Sequence, residues 1–158
     1  MEEIIQQILL KLSQREKRVY SVRQSQLATG LDPQIYSLHA RLHLQQPDLA
    51  FMNSLSHCDR HHPAVATVLN AWSYGVELHI SLQSNLLSAL SVLALSKLPL
   101  TLSDHQGVPV YLHTGRLMAY ADVVLLSDCW LVTAQGALIT TLAQEALTKQ
   151  RIRLVRQE

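Results

Sequence analysis

Aromatic side chains are scarce in this chain, 5% of 158 residues, too few to build the stacking platform that commonly holds single-stranded nucleic acid. Charge is scarce too: Asp, Glu, Lys and Arg make up 16% of the residues and sum to a formal +1. No long-range field suited to a polyanion follows from that balance, so nucleic acid is not an expected partner. The five glycines, Gly30, Gly75, Gly107, Gly115 and Gly136, are dispersed. Neither GxGxxG nor GxxxxGK occurs, which removes the usual dinucleotide and phosphate loops, and no cofactor is expected. The two cysteines, Cys58 and Cys129, form no CxxC pair and read as free thiols of a reducing compartment. The longest apolar-rich stretch, 86–102, is broken by Ser88, Ser91, Ser96, Lys97 and Pro99, so no membrane span is expected. Glu2 and Glu3 open the chain where a secretory leader would carry basic residues, and the expected location is the cytoplasm. What the chain does have is apolar content, 48% of residues, enough for one folded domain with a substantial core.

Ile4, Ile5, Ile8, Leu9 and Leu12 recur at the spacing of one helical face, with Glu2 and Glu3 at the start and Lys11 and Arg15 toward the end, matching the helix dipole. Residues 1–18 therefore read as an amphipathic N-terminal helix. Residues 19–34 are polar and contain Gly30 and Pro33, and read as a linker or loop that could hinge the helix from an α/β domain over 35–158.

Within that domain, Leu38, Ala40, Leu42 and Leu44 alternate with polar residues as in a half-buried strand, and Leu49 to Met52 reads as a second, short one. Pro63 suits the first turn of a helix over about 63–74 and Gly75 its end. Val76, Leu78, Ile80 and Leu82 alternate as a strand, and Ser84 could cap a helix stopped by Pro99. Residues 100–112 read as a hairpin in which Pro109 argues for an edge. The run 123–126, apolar on both faces, reads as a central strand. Residues 130–132, a helix over about 138–150 and a strand over 151–156 complete the pattern. The fold class is α/β, a layered mixed β-sheet flanked by helices, flavodoxin-like or related.

The densest set of reactive side chains is His57-Cys58-Asp59-Arg60-His61-His62. Imidazole and thiolate are transition-metal ligands, but structural sites draw on two separated pairs, and a second exists only if His39, His43, His105 or His113 folds close by. The spacing favours a polar loop ahead of a helix, so no metal is expected. Cys58 next to histidines also suggests an activated thiol, although adjacency in sequence does not supply catalytic geometry. Asn53-Ser54 and Gln83-Ser84-Asn85 follow expected strands, where an α/β domain can hold a cofactor; helix capping accounts for Ser84 more simply. Arg151, Arg153 and Arg156 could present a basic stripe to a partner or serve only as solvated edge protection.

Several segments taken in order carry a family resemblance: Ala71-Trp72-Ser73-Tyr74-Gly75, Glu77-Leu78-His79-Ile80-Ser81, Leu98-Pro99-Leu100 and Asp104-His105-Gln106-Gly107-Val108-Pro109-Val110. Leu112-His113-Thr114-Gly115, Tyr120-Ala121-Asp122-Val123-Val124-Leu125-Leu126-Ser127 and Ile152-Arg153-Leu154-Val155-Arg156-Gln157-Glu158 continue it. Collinear over 70–158, this pattern resembles the PduM family of the bacterial propanediol-utilization microcompartment. The resemblance implies a structural or assembly role linking shell proteins and encapsulated enzymes, inside a microcompartment in the cytoplasm, and brings no catalytic residues with it.

The expectation is accordingly a non-enzymatic assembly protein that meets shell or enzyme partners through Ile4, Ile5, Ile8, Leu9 and Leu12 and through Arg151, Arg153 and Arg156; the helix could also pair with its copy in a homo-oligomer. The alternative is a small cofactor-binding or enzymatic α/β domain with a flavin- or cobalamin-related ligand.

Overall fold

A computed structural model describes residues Met1–Glu158. The chain opens with α1 (Glu2–Lys17) and passes directly into β1 (Val19–Arg23), α2 (Gln24–Thr29) and α3 (Pro33–Leu38). The segment 19–34 is thus not a linker: β1 pairs in parallel with β2 (Arg41–Gln45), and Asp32 caps α3 by accepting from the Gln34 amide. After β2, Leu49 to Met52 forms the start of α4 (Leu49–Ser56) rather than a strand, because Asp48 accepts a 2.7 Å hydrogen bond from the Phe51 amide and so starts a helix. α5 (Pro63–Ser73) and β3 (Glu77–Leu82) lie where the pattern places them, and Gly75 turns between them at φ 73°. A 3-10 turn (Ser84–Ala89) and the short α6 (Val92–Ser96) stand in for one longer helix. β4 (Leu100–Asp104) and β5 (Pro109–His113) form the hairpin.

The rest comprises β6 (Leu117–Met118), α7 (Tyr120–Val123), β7 (Cys129–Thr133), β8 (Leu138–Ile139), α8 (Thr141–Lys149) and β9 (Ile152–Arg156). The expected central strand at 123–126 is the end of α7 and a turn. Val123 is buried, but Leu125 is 93% exposed, so the apolar run spills out to solvent. Val124→Asp is therefore expected to lower stability by only about 1 kcal/mol or less; a thermal melt of the variant checks this.

Seven strands form one sheet in the order β1-β2-β3-β4-β5-β7-β9, every pair parallel except β4 and β5, while β6 and β8 pair separately. This is the expected α/β class with a mixed, helix-flanked sheet, but the order is sequential, not the flavodoxin-like 2-1-3-4-5. β5 is interior: Pro109 is tolerated there because it is the strand's first residue.

The sequential order decides which face each helix covers. Parallel crossovers are right-handed, so strands added in one direction place their helices on one face. The hairpin reverses strand direction, and later crossovers must then use the opposite face. Burial agrees, since adjacent strand residues point to opposite faces: Val132 joins the large core with Phe51, Val65, Leu44 and Ile80, while Leu131 joins a smaller one with Val123, Ala143 and Ile152. Helices α2–α6 cover one face over β1–β4, and α7 and α8 cover the other over β7 and β9. The second face of β1–β4 is left without a helix, and none of its side chains belongs to either core. No helix is long and apolar enough to cross a membrane.

Candidate functional site

Two surfaces lack an intramolecular partner, α1 and the bare half of the sheet. α1 buries none of its residues. Ile4, Ile5, Ile8, Leu9 and Leu12 are each 48–61% exposed, so the apolar face read from the sequence is present and uncovered. The C-terminal end of α1 is nonetheless tied to the domain. One residue, Arg18, separates it from β1, and Arg15 Nε donates to the Tyr36 carbonyl at 3.0 Å while the Arg15 carbonyl accepts from the Ala40 amide at 3.1 Å. α1 projects from the sheet margin and is anchored there through its last turn.

The three arginines do not form one stripe. Arg153 lies over the Trp130 ring at 5.1 Å on the large-core face. Arg156 is an odd number of residues away, on the other face, and donates to the Ala137 carbonyl at 3.2 Å. Arg151 sits in the turn before β9 at φ 56°.

The 57–62 cluster does not converge either. His57 Nδ1 is tied back to the Asn53 carbonyl at 2.8 Å, His62 packs edge-on against Phe51 at the start of α5, and no three His, Cys, Asp or Glu side chains gather in a ligand set. Cys58 is exposed and Cys129 buried, both unpaired; burial pushes the Cys129 thiol up, with Asp128 adding to it. Asn53 and Ser54 lie within α4 rather than after a strand, and Ser84 starts the 3-10 turn without a side-chain cap bond.

Sequence reasoning missed the arrangement on the bare face. Parallel register sets His43 opposite His79 and Gln45 opposite Ser81, and His79 opposite Thr101 and Ser81 opposite Ser103. The two imidazoles meet at 5.2 Å between ring centroids. His79 lies between the hydroxyls of Thr101 (Nδ1, 2.6 Å) and Ser103 (Nε2, 2.9 Å), and His43 Nε2 lies 3.1 Å from Ser81 Oγ. Burial, then the nearby His43 and Arg41, lowers the His79 pKa, favouring a neutral ring that donates to one hydroxyl and accepts from the other. Strand alternation marked each histidine as lying on a polar side; only the register could reveal that they meet.

At the C-terminal ends of β1–β4 this face hollows into a concavity of about 560 Å³ whose lining holds no hydrophobic residue. Arg23, Gln45, Ser81 and Ser103 cross its floor as one register row.

The chain matches over residues 3–153 the model of a family described as "Putative propanediol utilisation". It is similar over its full length, and over 97% of theirs, to two proteins named bacterial microcompartment assembly protein PduM, at 29% identity to that of Salmonella typhimurium and 32% to that of Citrobacter freundii. No solved structure matches it.

Proposed function

The chain belongs to the propanediol-utilisation family, and from that premise we propose that it is a non-catalytic assembly component of the propanediol-degrading bacterial microcompartment, joining shell proteins to encapsulated enzymes. The observation that carries this reading is α1, a 16-residue helix with an uncovered apolar face, anchored to the domain through Arg15. An amphipathic helix of this kind binds by laying its apolar face in a groove of its partner. Full burial of an Ile or Leu side chain is worth roughly 1.5–3 kcal/mol; these five are half-exposed, so about half of that is still available from each. The helix is already formed, so little backbone entropy is lost on docking. The occupant of that face is a groove on a shell or enzyme-core protein; Arg151, Arg153 and Arg156 share no face of the edge strand and so do not act as one second contact.

The test is co-sedimentation of tagged Ile8→Glu with Leu12→Glu with purified microcompartments. Both positions are solvent-exposed and Glu is a good helix former, so the thermal melt should match the parent while the sedimenting fraction falls at least about tenfold, the loss expected when two apolar anchors are replaced by charge. A variant that folds and still sediments like the parent overturns the docking role of α1.

A further inference from the structure

We propose that the polar concavity at the C-terminal ends of β1–β4 binds a small, hydroxyl-rich metabolite bearing an oxyanion, with Arg23 as its charged anchor. This goes beyond the assembly role and does not depend on α1.

In open α/β sheets ligands bind outside the carboxyl ends of the strands, and this hollow lies there, on the face the reversed hairpin leaves uncovered. Its charge is one-sided. The Arg23 guanidinium has no ion pair or hydrogen bond of its own; the chain's one ion pair joins Arg41 to Glu77, further down the sheet. Of the residues lining the hollow only Asp104 is acidic, and its carboxylate lies on the opposite face of the sheet, bound by Trp130 Nε1 at 2.9 Å and by the amides of Gln106 and Val108. The nearby Asp48 carboxylate is engaged in capping α4 and in accepting from Gln24 Nε2. An anion entering the hollow therefore meets an unpaired guanidinium and no free carboxylate.

The floor beside Arg23 carries an amide and two hydroxyls. Gln45 follows it in the register row, then the largely buried hydroxyls of Ser81 and Ser103, with His43 alongside. Such a wall matches a body rich in hydroxyls and gives no apolar surface to a nucleobase or flavin ring. At about 560 Å³ the hollow exceeds what inorganic phosphate alone would fill. Gln46, at its rim, holds φ at 47°, a conformation uncommon for a non-glycine residue, and such outliers gather at binding sites.

The experiment is titration of the full-length, isotope-labelled chain with inorganic phosphate, glucose 6-phosphate and malonate, followed by amide chemical shifts, with Arg23→Gln as the paired variant. The expected result is saturable shifts grouped on β1–β4 around Arg23, Gln45, Ser81 and Ser103, tighter for glucose 6-phosphate than for phosphate, with affinity falling about tenfold or more in Arg23→Gln. Malonate saturating alongside the phosphates would show that Arg23 accepts carboxylates as well as phosphates; glucose 6-phosphate binding no more tightly than inorganic phosphate would overturn the hydroxyl-rich body. Absence of saturable shifts with all three probes, or an unchanged affinity in a folded Arg23→Gln, overturns the proposal.

Discussion

Ile80→Asp is expected to abolish the cooperative thermal transition of the domain. Ile80 is fully buried in β3, near the middle of the sheet, with Leu44 and Leu102 as cross-strand neighbours and the α4–α5 layer packed above it. A carboxylate placed there finds no donor, since the surrounding row is aliphatic. An uncompensated buried charge costs several kcal/mol, comparable with the roughly 5–15 kcal/mol that holds a domain of this size together. Ile80→Val removes one methylene and should cost only about 1 kcal/mol, so the pair separates loss of charge compatibility from loss of volume. Circular dichroism melts of the two variants decide it. A sigmoidal melt for Ile80→Asp close to that of the parent would mean that β3 is not the strand around which the large core is built.

The contrast between Ile80 and Val124 marks where the sequence was legible. β3 announces itself through period-two alternation of Leu78, Ile80 and Leu82 against polar residues, a pattern that only a half-covered strand produces. The run 123–126 carries no alternation, and an unbroken apolar tetrapeptide reads alike as a buried strand or as a helical turn reaching the surface. Its true state is set by Asp122, which accepts from the Ala119 amide at 2.8 Å and starts α7. Asp48 does the same for α4. In both places a local cap overrode an apolar pattern. Residues 19–34 failed for another reason: β1, α2 and α3 are five or six residues each, shorter than the window over which periodicity accumulates. The five apolar residues of α1 were legible because an amphipathic helix needs no tertiary partner to show its spacing. The hollow around Arg23 was not, because Arg23, Gln45, Ser81 and Ser103 are drawn from four strands and meet only through parallel register. The same limit hid the pairing of His43 with His79.

Asp104→Ala is the second substitution expected to have a large effect, and here the cost lies in hydrogen bonds. Asp104 is 2% exposed. Its Oδ1 accepts from the Gln106 and Val108 amides, both at 2.8 Å, which fixes the β4–β5 turn, and its Oδ2 accepts from Trp130 Nε1 at 2.9 Å, which ties that turn to β7. Burial alone would raise the carboxyl's pKa, but these donors, with His105 nearby, outweigh it and hold the group below its ordinary value of 3.8. Alanine leaves three donors without an acceptor. Since hydrogen bonds to a charged group are worth about 1.5–3 kcal/mol each, and the exposed turn amides can recover water, a net loss of about 3 kcal/mol or more is expected at neutral pH. Asn keeps one acceptor oxygen for the turn but turns an N–H₂ toward the indole N–H, so Asp104→Asn should fall between the two, and adding Trp130→Phe should recover part of its deficit by removing the clashing donor. The pH dependence has a definite sign. A carboxyl whose pKa is lowered on folding contributes stability that is complete above its unfolded value and is lost as pH falls through the folded one. The parent should therefore lose this contribution on acidification below about pH 4, where the unfolded carboxyl begins to take up protons, and the gap between parent and Asp104→Asn should narrow. Urea melts across that range, read with the double variant, provide the test. A parent and an Asp104→Ala that unfold at the same urea concentration at pH 7 would remove Asp104 as the link between the hairpin and β7.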